Sequence, residues 1–96
     1  MYLNIHNCIL QYYVLFILII YYKRMDYNKL SKNFGIKLKY YRLQRGYTQE
    51  KLAEKLGIDA HYISDIECGS RNITFKTLAR LTEALGIDPY KFFTYD

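Results

Sequence analysis

The chain is poor in the residues that an enzyme centre usually needs. Its two histidines, His6 and His61, lie far apart, and its two cysteines, Cys8 and Cys68, form no CxxC pair and no His/Cys cluster. A zinc site or a disulfide framework is therefore not expected, and such cysteine usage fits a reducing, cytoplasmic compartment. No glycine-rich phosphate loop, metal-ligand cluster or Ser/His/Asp arrangement has workable spacing. The sequence thus points to no catalytic residue, metal, cofactor or small-molecule substrate, and the expectation is a non-enzyme.

Charge is absent from the first 22 residues, apart from any that His6 takes up, and residues 1–24 contain no Ala, Gly or Pro. "CILQYYVLFILIIYYKR", Cys8 to Arg24, offers 15 uncharged residues before the first lysine, where a membrane-spanning helix needs ~20 apolar ones. Extending back to Ile5 brings in His6 and Asn7. Three readings stay open. The start can be over-extended, since this Tyr-, Ile-, Leu- and Asn-rich composition is what A+T-rich upstream DNA encodes. Residues 5–22 can form a membrane or surface anchor, with Lys23 and Arg24 holding the rest of the chain on the cytoplasmic side. The stretch can also be an ordered part of the fold. A secretory signal fits poorly, because no basic residue opens the chain and no small-residue cleavage site comes after the apolar run. The expected division is an apolar extension over 1–24 and a helical domain over 25–96.

The second gap is in acid. No Asp or Glu occurs between Asp26 and Glu50, while Lys29, Lys32, Lys37, Lys39, Arg42 and Arg45 all fall there. Such a patch attracts phosphate backbones or anionic lipid, or is simply a solvated face. Over the whole domain the bias is mild. Lys23 and Arg24 supply two of the 14 basic side chains, leaving 12 basic against 9 acidic groups, a balance of +3. A chain of 96 residues has room for one modest core.

From Met25 onward the periodicity is helical, with no convincing strand, repeat or low-complexity segment. In "FGIKLKYYRLQRG", Phe34, Leu38 and Tyr41 share a face, and Gly46 comes next as a stop. Thr48 is placed to cap the next helix, Glu50 complements its dipole, and Leu52, Ala53 and Leu56 form its buried stripe before Gly57. Asp59 caps a third helix with Ile63 and Ile66 inward, ended by Gly69. Thr74 opens a fourth, with Leu78, Leu81 and Leu85 inward, closed by Gly86. Asp88-Pro89 begins a last short helix, with Asp as N-cap and Pro at the first position. About five helices over residues 31–93 must bury their stripes in one core.

One arrangement is specific. "TQEKLAEKLGIDAHYISDIECGSRN", with "LARLTEALGIDPYKFF" after it, resembles the Cro/phage-repressor type of helix-turn-helix family over roughly Phe34 to Phe93. The spacing has physical content. Ala53 is small where two helices cross, Gly57 can take a positive φ in the turn, and Ile58, Ile63 and Ile66 pack the second helix back onto the first. The outward face of a helix held in this way fits the DNA major groove. The resemblance implies an all-α, five-helix lambda-repressor-like domain that binds double-stranded DNA as a transcriptional regulator.

The resemblance also assigns roles. Ala60, His61 and Asp65 match base-facing positions of the recognition helix, about 60–67, with Tyr62 and Ser64 nearby. Gln49 matches a phosphate contact, Ser70, Arg71 and Asn72 a loop that grips the backbone, and Arg42 and Glu67 a structural salt bridge. Asp65 stands where relatives carry a basic or amide side chain. It repels phosphate but can accept from cytosine N4. Cys68 replaces a common Asn and reads best as a packed small hydrophobe. A single module makes few base contacts, so a homodimer on half-sites ~34 Å apart is expected, with Tyr90, Phe92, Phe93 and Tyr95 as candidate interface residues. The alternatives are a protein-interaction module of the same fold and a membrane-tethered regulator.

Overall fold

A computed structural model describes the backbone of residues 2–22 and 26–94 and the side chains of residues 7–17 and 26–94. Helix α1 covers Tyr2–Tyr22, and its described side chains, Cys8 included, are exposed. Among the described residues no helix is long and apolar enough to cross a membrane. Among the described side chains, the buried apolar ones all lie between Phe34 and Phe92.

The helical domain comprises α2 (Tyr27–Gln44), α3 (Gln49–Leu56), α4 (Ala60–Glu67), α5 (Phe75–Leu85) and a terminal 3-10 helix (Pro89–Phe93), with no strand among the described residues. Their starts are chemically marked. Asp26, Thr48, Asp59 and Thr74 sit in extended backbone, and each side chain accepts a bond from an N–H two or three residues on, satisfying donors a free helix end leaves open. Asp26 starts α2 well upstream of Phe34, where apolar spacing alone first shows a helix.

The turn between α3 and α4 closes as the spacing implies. Gly57 takes φ 67°, the Gly57 N–H donates to the Glu54 carbonyl at 3.1 Å, and the Ile58 N–H donates to that of Ala53 at 3.0 Å. This left-handed termination turns the chain so that Ile63 and Ile66 meet Leu52, Ala53 and Leu56 in a core with Phe34, Leu38, Leu81, Leu85 and Phe92. Ile58 and Leu78 are only half-buried at its edge.

The last short helix forms, as a 3-10 helix over Pro89–Phe93 with Asp88 at the N-cap position, but the Asp88 side chain makes no capping bond. Five residues permit little beyond an i→i+3 bond such as that from Lys91 N–H to the Asp88 carbonyl, 3.1 Å. A correction concerns Cys68, which is exposed and free rather than packed. It lies two residues past the buried Ile66, about 200° further round the axis, and so faces away from the core.

Candidate nucleic-acid interface

Helix α4 is held from two sides. Beneath it lie Leu52, Ala53 and Leu56 of α3. Across its C-terminal end runs α2, in backbone contact. A Cβ on Gly35 would meet the Glu67 carbonyl carbon at 2.8 Å and the Ile66 carbonyl oxygen still closer, and one on Gly69 would meet Lys32 Cα at 2.9 Å. Gly35 on α2 and Gly69 in the turn just after α4 therefore let the two segments approach backbone to backbone. Gly69 also has φ 76°, so its lack of a side chain serves both the turn and the crossing.

An ion pair fixes the same crossing. Arg42 Nε donates to Glu67 Oε2 at 2.6 Å and Nη2 to Oε1 at 3.1 Å, a bidentate fork. The third arm, Nη1, donates to the Tyr47 carbonyl at 2.8 Å, and Gln49 Nε2 donates to Glu67 Oε1 at 3.1 Å. The paired side chains are only 6% and 4% exposed. One carboxylate thereby ties together α2, the start of α3 and the end of α4.

The opposite face of α4 points outward. His61 is 95% exposed at the side chain, and its Nδ1 lies 3.1 Å from Asp59 Oδ1. The Asp59 carboxyl also accepts the His61 backbone N–H at 2.8 Å. That bond, with further help from the imidazole, holds its pKa below the ordinary 3.8. Ala60, Tyr62, Ser64 and Asp65 are half-buried, and Ser70, Arg71 and Asn72 are exposed in the loop after α4. The loop folds back, since the Ser70 N–H and hydroxyl both donate to the Asp65 carbonyl, at 3.0 and 3.1 Å. Arg71 then lies over the Tyr62 ring, 4.5 Å from its centroid, with Nη1 3.6 Å from Asp65 Oδ2. No group of acidic, His or Cys side chains among the described residues could hold a metal ion.

A family model described as helix-turn-helix matches residues 38–92. The chain belongs to the Cro/repressor-type helix-turn-helix family. It is 38% identical over 63 residues to the control protein C.BamHI of Bacillus amyloliquefaciens, covering 65% of this chain and 78% of that one. It is 35% identical over 68 residues to the transcriptional regulator RamB of Mycobacterium tuberculosis, but spans only 14% of that protein's length. Among solved structures it resembles the restriction-modification controller protein C.AhdI of Aeromonas hydrophila, with 34% identity and a TM-score of 0.61 over 64% of this chain and 92% of that one. It also resembles the controller C.Esp1396I, solved as a tetramer with its natural 35-base-pair operator, with 41% identity and a TM-score of 0.60 over 67% of this chain and 84% of that one.

Within this helix-turn-helix frame, the predicted site residues do not all stand alike. His61 and the 70–72 loop share the open face of α4. Gln49 is half-buried, and one N–H of its amide donates to Glu67, leaving the other N–H and the oxygen to reach outward. The basic window is also thinner than its sequence. Arg42 is buried in its ion pair, and Arg45 Nε donates to the Leu85 carbonyl at 2.7 Å, satisfying the end of α5. Arg80 likewise donates to the Leu56 carbonyl at the end of α3. Lys29, Lys32 and Lys39 remain exposed.

Of the interface candidates, Phe92 is buried, stacked on Phe34 with centroids 4.7 Å apart, and cannot face a partner. The 3-10 turn points it at the core. Tyr90 and Phe93 stay exposed, and Tyr95 lies outside the described residues. Spacing missed Gly35, whose helical surroundings disguise it, and the Tyr62–Arg71–Asp65 cluster, which forms only once the loop folds back.

Proposed function

We propose that this DNA-binding transcriptional regulator recognises a specific operator by laying α4 in the major groove, as a homodimer on a two-fold symmetric site. One observation carries the reading: the inner face of α4 is fixed by apolar packing and the Arg42–Glu67 fork, while its outer face and the loop after Gly69 present His61, Arg71 and Asn72 to solvent. A helix ~10–12 Å across matches a groove ~12 Å wide. His61 is the foremost base-facing side chain, and Ala60 supplies apolar contact at the helix start. Ser70, Asn72 and the first-turn N–H groups of α3 are set against phosphates. Exposed Lys29, Lys32 and Lys39 add long-range attraction. The recurrence of control proteins among the relatives and of restriction-modification controller proteins among the similar structures favours the same kind of regulatory task.

The pairing surface is assigned to the apolar side of a groove of about 300 Å³, where Phe93 and the protruding Phe75 join Tyr27, Leu30, Phe34 and Leu78; Arg71 and Asn72 of the loop after α4 also line the groove, so only its apolar side is free to pair while the loop meets DNA. A protruding ring next to a groove suits an isologous contact, in which each copy fills the other's groove.

Selection of bound sequences from a random duplex pool tests the reading. Enrichment of a palindrome with half-site centres ~34 Å apart is expected. Affinity should fall steeply with salt, by a log–log slope of ~−0.9 per neutralised phosphate. Binding that is flat with salt, or that enriches no symmetric motif, refutes it in favour of a protein partner for the same face.

A further inference from the structure

We infer that Asp65 is a positioning residue rather than a base reader, and that the base-discriminating group it positions is the guanidinium of Arg71. The inference rests on the proposed docking of α4 against duplex DNA. Tyr62 and Asp65 are three residues apart on α4, so they are neighbours on one helical face. Arg71 reaches that face from the loop and touches both, its guanidinium 4.5 Å from the Tyr62 ring centroid and its Nη1 3.6 Å from Asp65 Oδ2. The loop is itself pinned to α4 by the two bonds from Ser70 to the Asp65 carbonyl. A planar cation held by a ring face and a carboxylate has lost much of the freedom a surface arginine otherwise keeps.

The geometry divides the donors. Nη1 makes the Asp65 contact, an ion pair at 3.6 Å rather than a hydrogen bond, while among the described residues no protein acceptor takes Nε or Nη2. That free edge is a two-donor fork of the kind that meets guanine O6 and N7 in the major groove. Asp65 also cancels the Arg71 charge at close range, so the pair approaches phosphates as a neutral unit. An arginine acting only as a phosphate clamp gains nothing from such a partner. One that must present a defined edge to one base pair gains orientation.

The test compares wild type, Arg71→Lys, Arg71→Ala, Asp65→Asn and the double variant Asp65→Asn/Arg71→Ala on the selected operator and all its single-base-pair variants, across a salt series. Arg71→Lys keeps the charge and loses the fork. It should abolish preference at one base pair per half-site, a loss of about 5- to 150-fold in discrimination, with the salt slope unchanged. Asp65→Asn should relax preference at that same base pair and steepen the salt slope by about one phosphate contact, since Arg71 is then free to swing to the backbone. The double variant should be no less discriminating than Arg71→Ala alone, the non-additivity of a coupled pair.

Three results overturn the inference: Arg71→Ala weakening every sequence equally, Asp65→Asn altering a different base pair, or the two substitutions adding. Any of them, with the wild type still binding in a salt-dependent, sequence-selective way, leaves the proposed function standing. Absence of such binding by the wild type removes both.

Discussion

Replacing Glu67 by Gln tests the claim that one ion pair sets the orientation of α4. The substitution preserves size but removes the one carboxylate that, among the described residues, pairs with Arg42, whose side chain is 6% exposed. The cation then keeps a neutral acceptor and the Tyr47 carbonyl, 2.8 Å away, but no counter-charge. Breaking a buried pair from one side costs about 3–5 kcal/mol, because the surviving charge stays desolvated. A domain of about 70 residues has roughly 3–10 kcal/mol of total stability, so this one change removes a large part of it. At 4–8 °C per kcal/mol for a domain of this size, the midpoint should fall by roughly 12–40 °C. Urea titration and thermal melts followed by far-ultraviolet circular dichroism read the effect. Replacing both partners by Met should cost less than either single change, since no isolated charge remains buried. A Glu67→Gln protein within 1 kcal/mol of wild type, or a double variant at the sum of the singles, would refute the reasoning.

Gly35→Ala should destabilise despite gaining about 1 kcal/mol in helix propensity, because its Cβ would press on the backbone of residues 66 and 67 and overpacking costs about 1–3 kcal/mol or more; a denaturant midpoint above wild type would contradict the close crossing of α2 and α4. Thr48→Ala should cost about 1 kcal/mol in the same melts, since its hydroxyl accepts the Lys51 N–H at 3.0 Å, and Thr48→Asp should recover most of it. The Asp59 carboxyl, followed by carbon-detected NMR, should titrate below 3.8. Its folded pKa is depressed, so its capping contribution is present above the unfolded value and lost as pH falls through the lower folded one; a midpoint above 3.8 would mean that the bond to the His61 N–H does not form in solution. Phe75→Glu should leave the melting curve of the monomer nearly unchanged, because the ring is exposed, yet weaken self-association in sedimentation equilibrium; unchanged association would place the pairing surface elsewhere.

The features legible in the sequence are those that depend on local rules. Thr48, Asp59 and Thr74 cap helices where capping chemistry places them, and the stripes Leu52, Ala53, Leu56 and Ile63, Ile66 are buried because helical periodicity leaves them one inward face. The start of α2 was harder, because Tyr27 to Asn33 shows no clean apolar stripe and only the bond from the Lys29 N–H to the Asp26 side chain, 2.8 Å, marks it. Contacts between distant segments were least legible. Gly35 looks like an ordinary blemish in a helix until α4 is laid across it. Gln49 looks like a free polar side chain until Glu67, 18 residues on, takes one of its amide N–H groups. Arg71 and Asp65 look like independent surface charges until the loop after Gly69 folds back.

These contacts alter how the positive charge of the domain works. Counted along the chain, Arg42 and Arg45 belong to a basic patch of six. In the fold, Arg42 lies in a buried fork, and Arg45 and Arg80 close the C-terminal ends of α5 and α3 by donating to backbone carbonyls, where the helix dipole also favours a cation. Arginine suits this work because its planar fork bonds in fixed directions and is weakly hydrated, whereas a lysine ammonium is compact and strongly solvated. The exposed charge left on α2 is therefore lysine charge, Lys29, Lys32 and Lys39. Lysines on flexible stems provide attraction that falls with salt but little orientation. Orientation instead comes from arginines already committed to partners, Arg42 in the core, Arg45 and Arg80 on helix ends at the surface, and Arg71 on the face of α4. Salt sensitivity and sequence selectivity should thus be separable by mutation, lysine changes moving the first and Arg71 the second.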